Sequence, residues 1–152
     1  MPKRSAGLLM YRRSHRTLEL LLVHPGGPFW AKKDEGAWSI PKGEYDDGED
    51  VRAVAKREFA EEVGAVPDGA LVDLGEVVQG GGKRVRAFAL EGDFDVVRLQ
   101  SNTFELEWPP KSGRRQTFPE VDRAAWFAPD TARQKILAGQ RPFIDRLIDA
   151  VC

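Results

Sequence analysis

Residues 43–65 read GEYDDGEDVRAVAKREFAEEVGA and place three glutamates, Glu58, Glu61 and Glu62, within five consecutive positions. On an α-helix, residues three and four positions apart are surface neighbours, so these like charges would repel one another. A divalent cation relieves that repulsion, and carboxylate oxygens are the hard ligands that magnesium and manganese prefer. The segment therefore predicts a helix that holds a metal ion.

The apolar residues of this predicted helix share one sector of the helical wheel, at about 100° per residue: Val51, Val54, Ala55 and Phe59. Glu58 and Glu62 fall inside the same sector, whereas solvating glutamates would lie opposite it. The alternative is a charged surface helix with i to i+4 pairs such as Arg57 with Glu61. Two carboxylates within the apolar stripe instead favour the rim of a cleft where the helix meets the domain.

The same segment resembles the signature box of the Nudix hydrolase superfamily. That box reads glycine, five residues, glutamate, seven residues, and then Arg-Glu-aliphatic-x-Glu-Glu-x-Gly-aliphatic. Here every charged and glycine position is filled, by Gly43, Glu49, Arg57, Glu58, Glu61, Glu62 and Gly64. Phe59 replaces an aliphatic residue and Ala65 is smaller than the usual one, so the departures concern helix docking and not chemistry. The box covers 23 of the 152 residues.

The resemblance implies a metal-dependent cleavage of a pyrophosphate bond. It makes Glu58, Glu61 and Glu62 the shell of a Mg²⁺ or Mn²⁺ ion, one of them doubling as the base for water, with the Gly43 carbonyl as a further ligand. It also makes Arg57 the partner that pairs back to Glu49 and holds a catalytic glutamate. Some family members recruit one more acid from a later loop, and the candidates here are Glu105, Glu107 and Glu120.

The segment WSIPKG, residues 38–43, bears on the substrate. Similar strings occur in Nudix enzymes that act on dinucleoside polyphosphates, on diphosphoinositol polyphosphates and on damaged nucleoside triphosphates. Lys42 lies just before the box, where an ammonium group can meet a phosphate as a point charge. A solvated surface lysine is the alternative.

Other substrate contacts are predicted from residue type. Lys111, Arg114 and Arg115 form a second positive group that would grip the far end of a long polyphosphate, although charged loops are usually only solvated. Phe29 and Trp30, in a glycine-rich loop, are the candidate platforms for a nucleotide base, whereas Trp38 is expected in the core.

Three functions remain open. The favoured one is hydrolysis of a dinucleoside polyphosphate such as diadenosine tetraphosphate. The second is a related pyrophosphatase for oxidised nucleoside triphosphates such as 8-oxo-dGTP, for nucleotide sugars or for diphosphoinositol polyphosphates. The third is a non-catalytic nucleotide-binding Nudix module, against which the full set of box acids argues.

Composition sets broader bounds. The 23 basic and 24 acidic residues give a net charge of −1, which predicts no binding to duplex nucleic acid. The only cysteine, Cys152, excludes an internal disulfide and suits a cytoplasmic location. The apolar run near the N-terminus is too short for a signal peptide or a membrane span. A monomer or a homodimer is expected, with a single Nudix hydrolase domain over 1–152.

The remaining sequence predicts strands first and helices last. Apolar runs predict strands over residues 6–11, 18–23, 71–78, 85–90, 103–108 and 124–127. Helical patterns cover residues 50–63, 131–137 and 142–151. Residues 24–36 predict a loop, and residues 109–123 a long basic loop. The pattern is that of an α+β fold, and the resemblance sharpens it to the Nudix α/β/α sandwich with a mixed β-sheet.

Overall fold

The computed structural model describes residues 3–152 and is built around one mixed β-sheet. Its strands run in the order β4-β5-β1-β2-β8, and β3 pairs with the free part of β1. The bounds are β1 Arg4–Ser14, β2 Thr17–Pro25, β3 Lys42–Glu44, β4 Val72–Val78, β5 Arg84–Glu91 and β8 Val121–Phe127. Because β1 and β5 are parallel while the other pairs are antiparallel, the predicted mixed sheet is confirmed.

The first two strands form the predicted hairpin. Their apolar runs fill the centre of the sheet, where Leu9 and Leu20 have no exposed surface. The turn between them is made by His15 and Arg16, both of which have positive φ angles, 50° and 68°. Two left-handed residues match the twist of the flanking strands in a tight hairpin.

Helices cover both faces of the sheet, as the α/β/α prediction requires. On one face lies α1, Val51–Val63, which begins after the capping side chain of Asp50 and ends at Gly64 with φ 87°. On the other face lie α2, Pro129–Lys135, and α3, Arg141–Val151. Phe59 anchors α1 and Phe143 anchors α3, and both side chains are fully buried.

Two elements differ from the sequence prediction. The first is β3, a three-residue strand that brings Lys42–Glu44 onto β1. The second is a separate hairpin of β6, Thr103–Glu107, and β7, Arg115–Pro119, inside which only residues 108–114 form a turn. The predicted basic loop over 109–123 is therefore wrong, since most of its second half is strand. Within residues 3–152, no helix is long and apolar enough to cross a membrane.

Candidate active site

Two adjoining cavities lie where β3 meets the C-terminal half of α1. The carboxylate cavity, of 180 Å³, is lined by Lys42, Gly43, Glu44, Glu58, Glu61, Glu62, Asn102 and Glu120. The second, which we call the lysine cavity, has 340 Å³ and is lined by residues that include Ser5, Trp30, Ser39, Lys42, Lys83, Glu62 and Glu120. The structure thus brings the three box glutamates together with Gly43 and Lys42, as the sequence predicts.

All three residues of the short strand β3 line both cavities, and their side chains alternate between the two faces of the sheet. Gly43 faces α1, and a Cβ atom at this position would overlap the carboxyl group of Glu58. Glycine is needed here because the carboxylate lies directly on the backbone. Lys42 and Glu44 point to the other face, where Gly7 and Ser5 of β1 are their register partners.

The side chain of Lys42 lies beside Gly7, its partner on β1, which has no side chain to block it. A Cβ atom on Gly7 would lie 2.8 Å from the Cβ atom of Lys42 and still closer to the carbonyl oxygen of Pro41. Burial lowers the pKa of the Lys42 ammonium, while the charge of Glu62 opposes that shift and the charge of Lys83 adds to it. The cavity therefore holds two ammonium groups close enough to affect each other.

The sheet register explains why Lys83 lies beside Lys42. Ser5 pairs with Val85 on β5 and with Glu44 on β3, so these side chains share one face. Lys83 is two residues before Val85, and its backbone is extended, with φ −65° and ψ 131°. Its side chain accordingly belongs to the same face as that of Lys42.

Burial dominates the electrostatics of the glutamates. It raises the pKa of Glu62 to about 8, even though Lys42 pulls the value down through its charge and its backbone. Burial also raises the pKa of Glu58, and the neighbouring charge of Glu61 adds to the effect. The positive charges of Lys42 and Arg57 do not offset these shifts, and a bound cation would stabilise both carboxylates in their ionised form.

Arg57 makes the contact that the sequence predicts and not the surface pair with Glu61. Its Nη1 atom lies 3.4 Å from Oε2 of Glu49, and its Nη2 atom lies 3.5 Å from Oε1 of Glu58. A hydrogen bond from the Asp46 amide and the Arg57 guanidinium both lower the pKa of Glu49. Arg57 and Glu49 line neither cavity, and Arg57 is connected to the carboxylate cavity through its contact with Glu58.

Glu120 is the later acid that reaches the box, and a relay of backbone hydrogen bonds places it there. The Asn102 amide donates to the Glu61 carbonyl at 2.8 Å, and the Glu120 amide donates to the Asn102 carbonyl at 2.8 Å. The Gly26 amide then donates to the Glu120 carbonyl at 2.9 Å. This relay connects the end of α1 to the loop after β2.

The other two candidate acids lie on the separate hairpin. Glu105 and Glu107 are exposed residues of β6 and line neither cavity. Glu105 instead pairs with Arg115 across the hairpin, at 3.9 Å. Of the three candidate acids, the structure therefore brings only Glu120 to the carboxylate cavity.

The three aromatic residues considered in the sequence analysis lie in different surroundings. Trp30 lines the lysine cavity, and the Nζ atom of Lys33 lies 5.0 Å from its ring centre. Phe29 is 61% exposed and meets the ring of Trp108 edge-on at 5.3 Å. Trp38 is buried and donates from Nε1 to Asp34 at 2.8 Å, so its assignment to the core is confirmed.

A fully buried histidine holds the loop that carries Trp30. His24 Nδ1 lies 2.7 Å from the Asp122 carboxylate and Nε2 lies 2.6 Å from the Lys33 carbonyl. Sequence analysis missed this residue because its carboxylate partner, Asp122, is 98 positions away in the chain. The contact fixes one wall of the lysine cavity.

The cations of the β6–β7 hairpin lie outside both cavities. Lys111 and Arg114 are in its turn and Arg115 begins β7, all three exposed. The hairpin packs on the loop after β2, where a side chain on Gly27 would meet the ring of Phe104. Their predicted contact with distal phosphates stays a prediction.

Lys83, Asn102, Glu44 and Ser5 are among the polar lining residues that sequence analysis missed. For Lys83, the period-two continuation of β5 offered a signal, since Val85 and Ala87 on the same face are core residues. For Asn102, the sequence carries none.

The donor set around the carboxylate cavity fits a divalent cation. It offers carboxylates from Glu58, Glu61, Glu62 and Glu120, and Gly43 leaves room for one of them against the backbone. Oxygen-only ligands of this kind suit Mg²⁺ or Mn²⁺. Among the residues described, no three acidic, histidine or cysteine side chains are close enough together to coordinate one metal ion. The glutamates therefore line the cavity without converging on a single point.

Comparison with known proteins identifies the family. The sequence matches the NUDIX domain over residues 1–147, and the chain belongs to that family. A search of curated protein sequences finds no significant match.

Solved structures with the same fold include a C. elegans Ap4A hydrolase in a binary complex, with TM-score 0.68, 21% identity and 97% of each chain covered. The NUDIX domain of Shewanella oneidensis NrtR, complexed with ADP ribose, has TM-score 0.66 and 17% identity, and covers 100% of this chain and 90% of its own. The MutT protein of Methanosarcina mazei has TM-score 0.63 and 18% identity, with 98% and 95% covered. At these identities the likeness establishes the fold, and the family match with hydrolases among the neighbours supports a pyrophosphohydrolase.

Proposed function

We propose that this chain hydrolyses a phosphoanhydride bond of a dinucleoside polyphosphate such as diadenosine tetraphosphate, with Mg²⁺ or Mn²⁺ bound by the box glutamates. One observation carries the proposal: the carboxylate cavity shares lining residues, Glu62 and Glu120 among them, with the lysine cavity, which Lys42 and Lys83 line. A cation site beside an anion site is what a polyphosphate with a bound metal requires.

The binding roles follow from this arrangement. Lys42 and Lys83 bind the phosphates next to the cleaved bond, because both residues line the lysine cavity and an ammonium group binds phosphate as a point charge. Trp30 stacks on a nucleotide base, and Phe29 with Trp108 offers a second aromatic surface further out. The hairpin cations Lys111, Arg114 and Arg115 meet phosphates that extend beyond the cavity.

The catalytic roles rest on the glutamates. Glu58, Glu61, Glu62 and Glu120, with the carbonyl of Gly43, would hold the metal, which when bound neutralises phosphate charge and lowers the pKa of water. Glu58 and Glu62 have raised pKa values, the property of carboxylates that accept a proton from water near neutral pH. Arg57, held by Glu49, orients Glu58.

The alternative substrates offer the same group to the lysine cavity. An oxidised nucleoside triphosphate, a nucleotide sugar or a diphosphoinositol polyphosphate also presents a pyrophosphate to Lys42 and Lys83. A non-catalytic nucleotide-binding module is the last alternative. The cluster of mutually repelling carboxylates argues against it, because a binding module does not need one. For cellular setting, the free and exposed Cys152 suits a reducing cytoplasm.

A substrate panel tests the proposal. The purified chain is incubated with Mg²⁺ or Mn²⁺ and diadenosine tetraphosphate, 8-oxo-dGTP, ADP-ribose or a diphosphoinositol polyphosphate, and the products are separated by chromatography. We expect the highest kcat/KM for the dinucleoside polyphosphate. A preference for another member of the panel would replace the substrate, and no turnover of any of them would favour the binding module.

A further inference from the structure

Three glycines, residues 80–82, form the turn that precedes Lys83 and β5, and the space where their side chains would lie is open. A Cβ atom added to any of these glycines would meet nothing within 4 Å. Gly81 and Gly82 have φ angles of 80°, a conformation that glycine adopts readily. Because glycine has more backbone freedom than any other residue, contacts made by other residues must fix the position of Lys83.

Gln79 closes this turn with its backbone. Its amide donates to the Lys83 carbonyl at 2.7 Å, and its carbonyl accepts from the Gly82 amide at 3.1 Å. The short turn before α3 approaches it directly, since a Cβ atom on Gly139 would lie only 3.0 Å from the Cα atom of Gln79. The backbone of the turn is thus held at one residue.

The side chain of Gln79 connects the turn to a buried amide. Its Oε1 atom accepts from Nε2 of Gln140 at 2.9 Å. Gln140 is fully buried, and its Nε2 also donates to Oγ of Ser39 at 3.0 Å while its Oε1 accepts from the Ile40 amide at 3.1 Å. Ser39 and Ile40 lead into Lys42, so one buried amide is bonded to both lysine-bearing segments.

We propose that Gln79 is a positioning residue for substrate phosphates, holding Lys83 through Gln140 at the distance from Lys42 that one polyphosphate spans. Gln79 lines neither cavity and acts only through Lys83. The inference rests on the proposed function, because it requires a phosphate ligand between the two lysines.

The test measures ADP binding by calorimetry with Mg²⁺ in a Glu62→Gln background, where turnover is suppressed. Gln79→Met keeps the backbone bonds and the side-chain length but cannot accept a hydrogen bond from Gln140. We expect Gln79→Met to lower ADP affinity about 10-fold, because a displaced Lys83 loses its charged hydrogen bond to phosphate. Lys83→Met should lose at least as much. The double variant should bind no more weakly than Lys83→Met alone, because residues that act through one group are not additive.

Two further measurements separate positioning from general damage. Gln134→Met, an exposed glutamine of α2 with no side-chain hydrogen bond among the residues described, is the matched control and should leave ADP affinity unchanged. In the chain with Glu62 restored, Gln79→Met should raise KM with little change in kcat, and the Gly82 amide should exchange its hydrogen faster.

Equal ADP affinity of Gln79→Met and its parent would overturn the inference, as would a further 10-fold loss when Gln79→Met is added to Lys83→Met. Absence of ADP binding by the parent, together with no turnover by the unmodified chain, would instead remove the proposed function and the inference with it. Binding by the parent with an unaffected Gln79→Met removes the inference alone.

Discussion

At Glu62, burial raises the pKa of the carboxyl group while the charge of Lys42 lowers it. Its pKa is raised to about 8 from 4.5, which is the value of an unhindered glutamate. Between these two values Glu62 holds its proton in the folded, metal-free protein and has lost it in the unfolded chain. The contribution of Glu62 to stability is therefore fully present below about pH 4.5 and is lost as the pH rises through about 8.

This imbalance predicts a pH effect that can be measured without substrate. In EDTA, the free energy of unfolding should fall by roughly 2–4 kcal/mol between about pH 5 and about pH 8.5. Urea denaturation at several pH values measures it. Glu62→Gln should flatten the dependence, and added Mg²⁺ should restore stability at high pH. If the unmodified protein in EDTA has the same free energy of unfolding at both pH values, Glu62 is not buried as described.

Gly43 provides a second residue-scale prediction, because its missing side chain makes room for the Glu58 carboxylate. Gly43→Ala should displace that carboxylate and lower kcat/KM by about 10-fold or more, since a misplaced metal ligand weakens the transition state. Steady-state kinetics with Mg²⁺ measures the loss. Gly92→Ala is the matched control, because its added Cβ meets only the flexible end of Met10, at 3.1 Å. Equal activity of both variants would remove Gly43 from the site.

At the scale of elements, α1 must be docked firmly for its acids to face the cavity. Phe59 has no exposed surface and packs under the sheet. Phe59→Ala should lower the free energy of unfolding by about 3–5 kcal/mol, the usual range for a buried aromatic residue. Chemical denaturation measures this, with Phe118→Ala in the separate hairpin as a control of smaller effect. A loss below about 1 kcal/mol would mean that other contacts hold the helix.

The elements also show how far sequence alone reaches. The helix α1 was predictable because its polar positions have fixed spacing and because Asp50 and Gly64 mark its ends. In contrast, β3 has only three residues and no apolar alternation, and β7 pairs with β6 outside the main core. Hydrophobic periodicity reports burial, so strands without a buried face leave no such signal.

The same limit explains the outcome for the site. The box fixes Glu58, Glu61 and Glu62 by local spacing, and these line one cavity as predicted. Choosing Glu120 over Glu105 required backbone hydrogen bonds between segments far apart in sequence. Lys83 likewise joins Lys42 only through the pairing of β1 with both β3 and β5.

On the scale of the whole molecule, the proposed function predicts that the separate hairpin contributes to the binding of long substrates. Because Arg114 and Arg115 lie outside the cavities, they can contact only phosphates that extend beyond them. Their joint replacement by alanine should lower kcat/KM for diadenosine tetraphosphate more than for ADP-ribose, and added salt should narrow the difference. Equal losses on both substrates would remove the hairpin from the binding surface.

The central claim is that the box carboxylates carry out a metal-dependent hydrolysis, and one comparison tests it most directly. The kcat/KM for diadenosine tetraphosphate with Mg²⁺ is measured for the unmodified chain, for Glu62→Gln and for Glu105→Gln as a control on the hairpin. Loss of one metal contact removes several kcal/mol of transition-state stabilisation. We therefore expect Glu62→Gln to lose about 100-fold or more in kcat/KM while it stays folded, and Glu105→Gln to lose nothing. A folded Glu62→Gln with nearly unmodified activity would contradict the account.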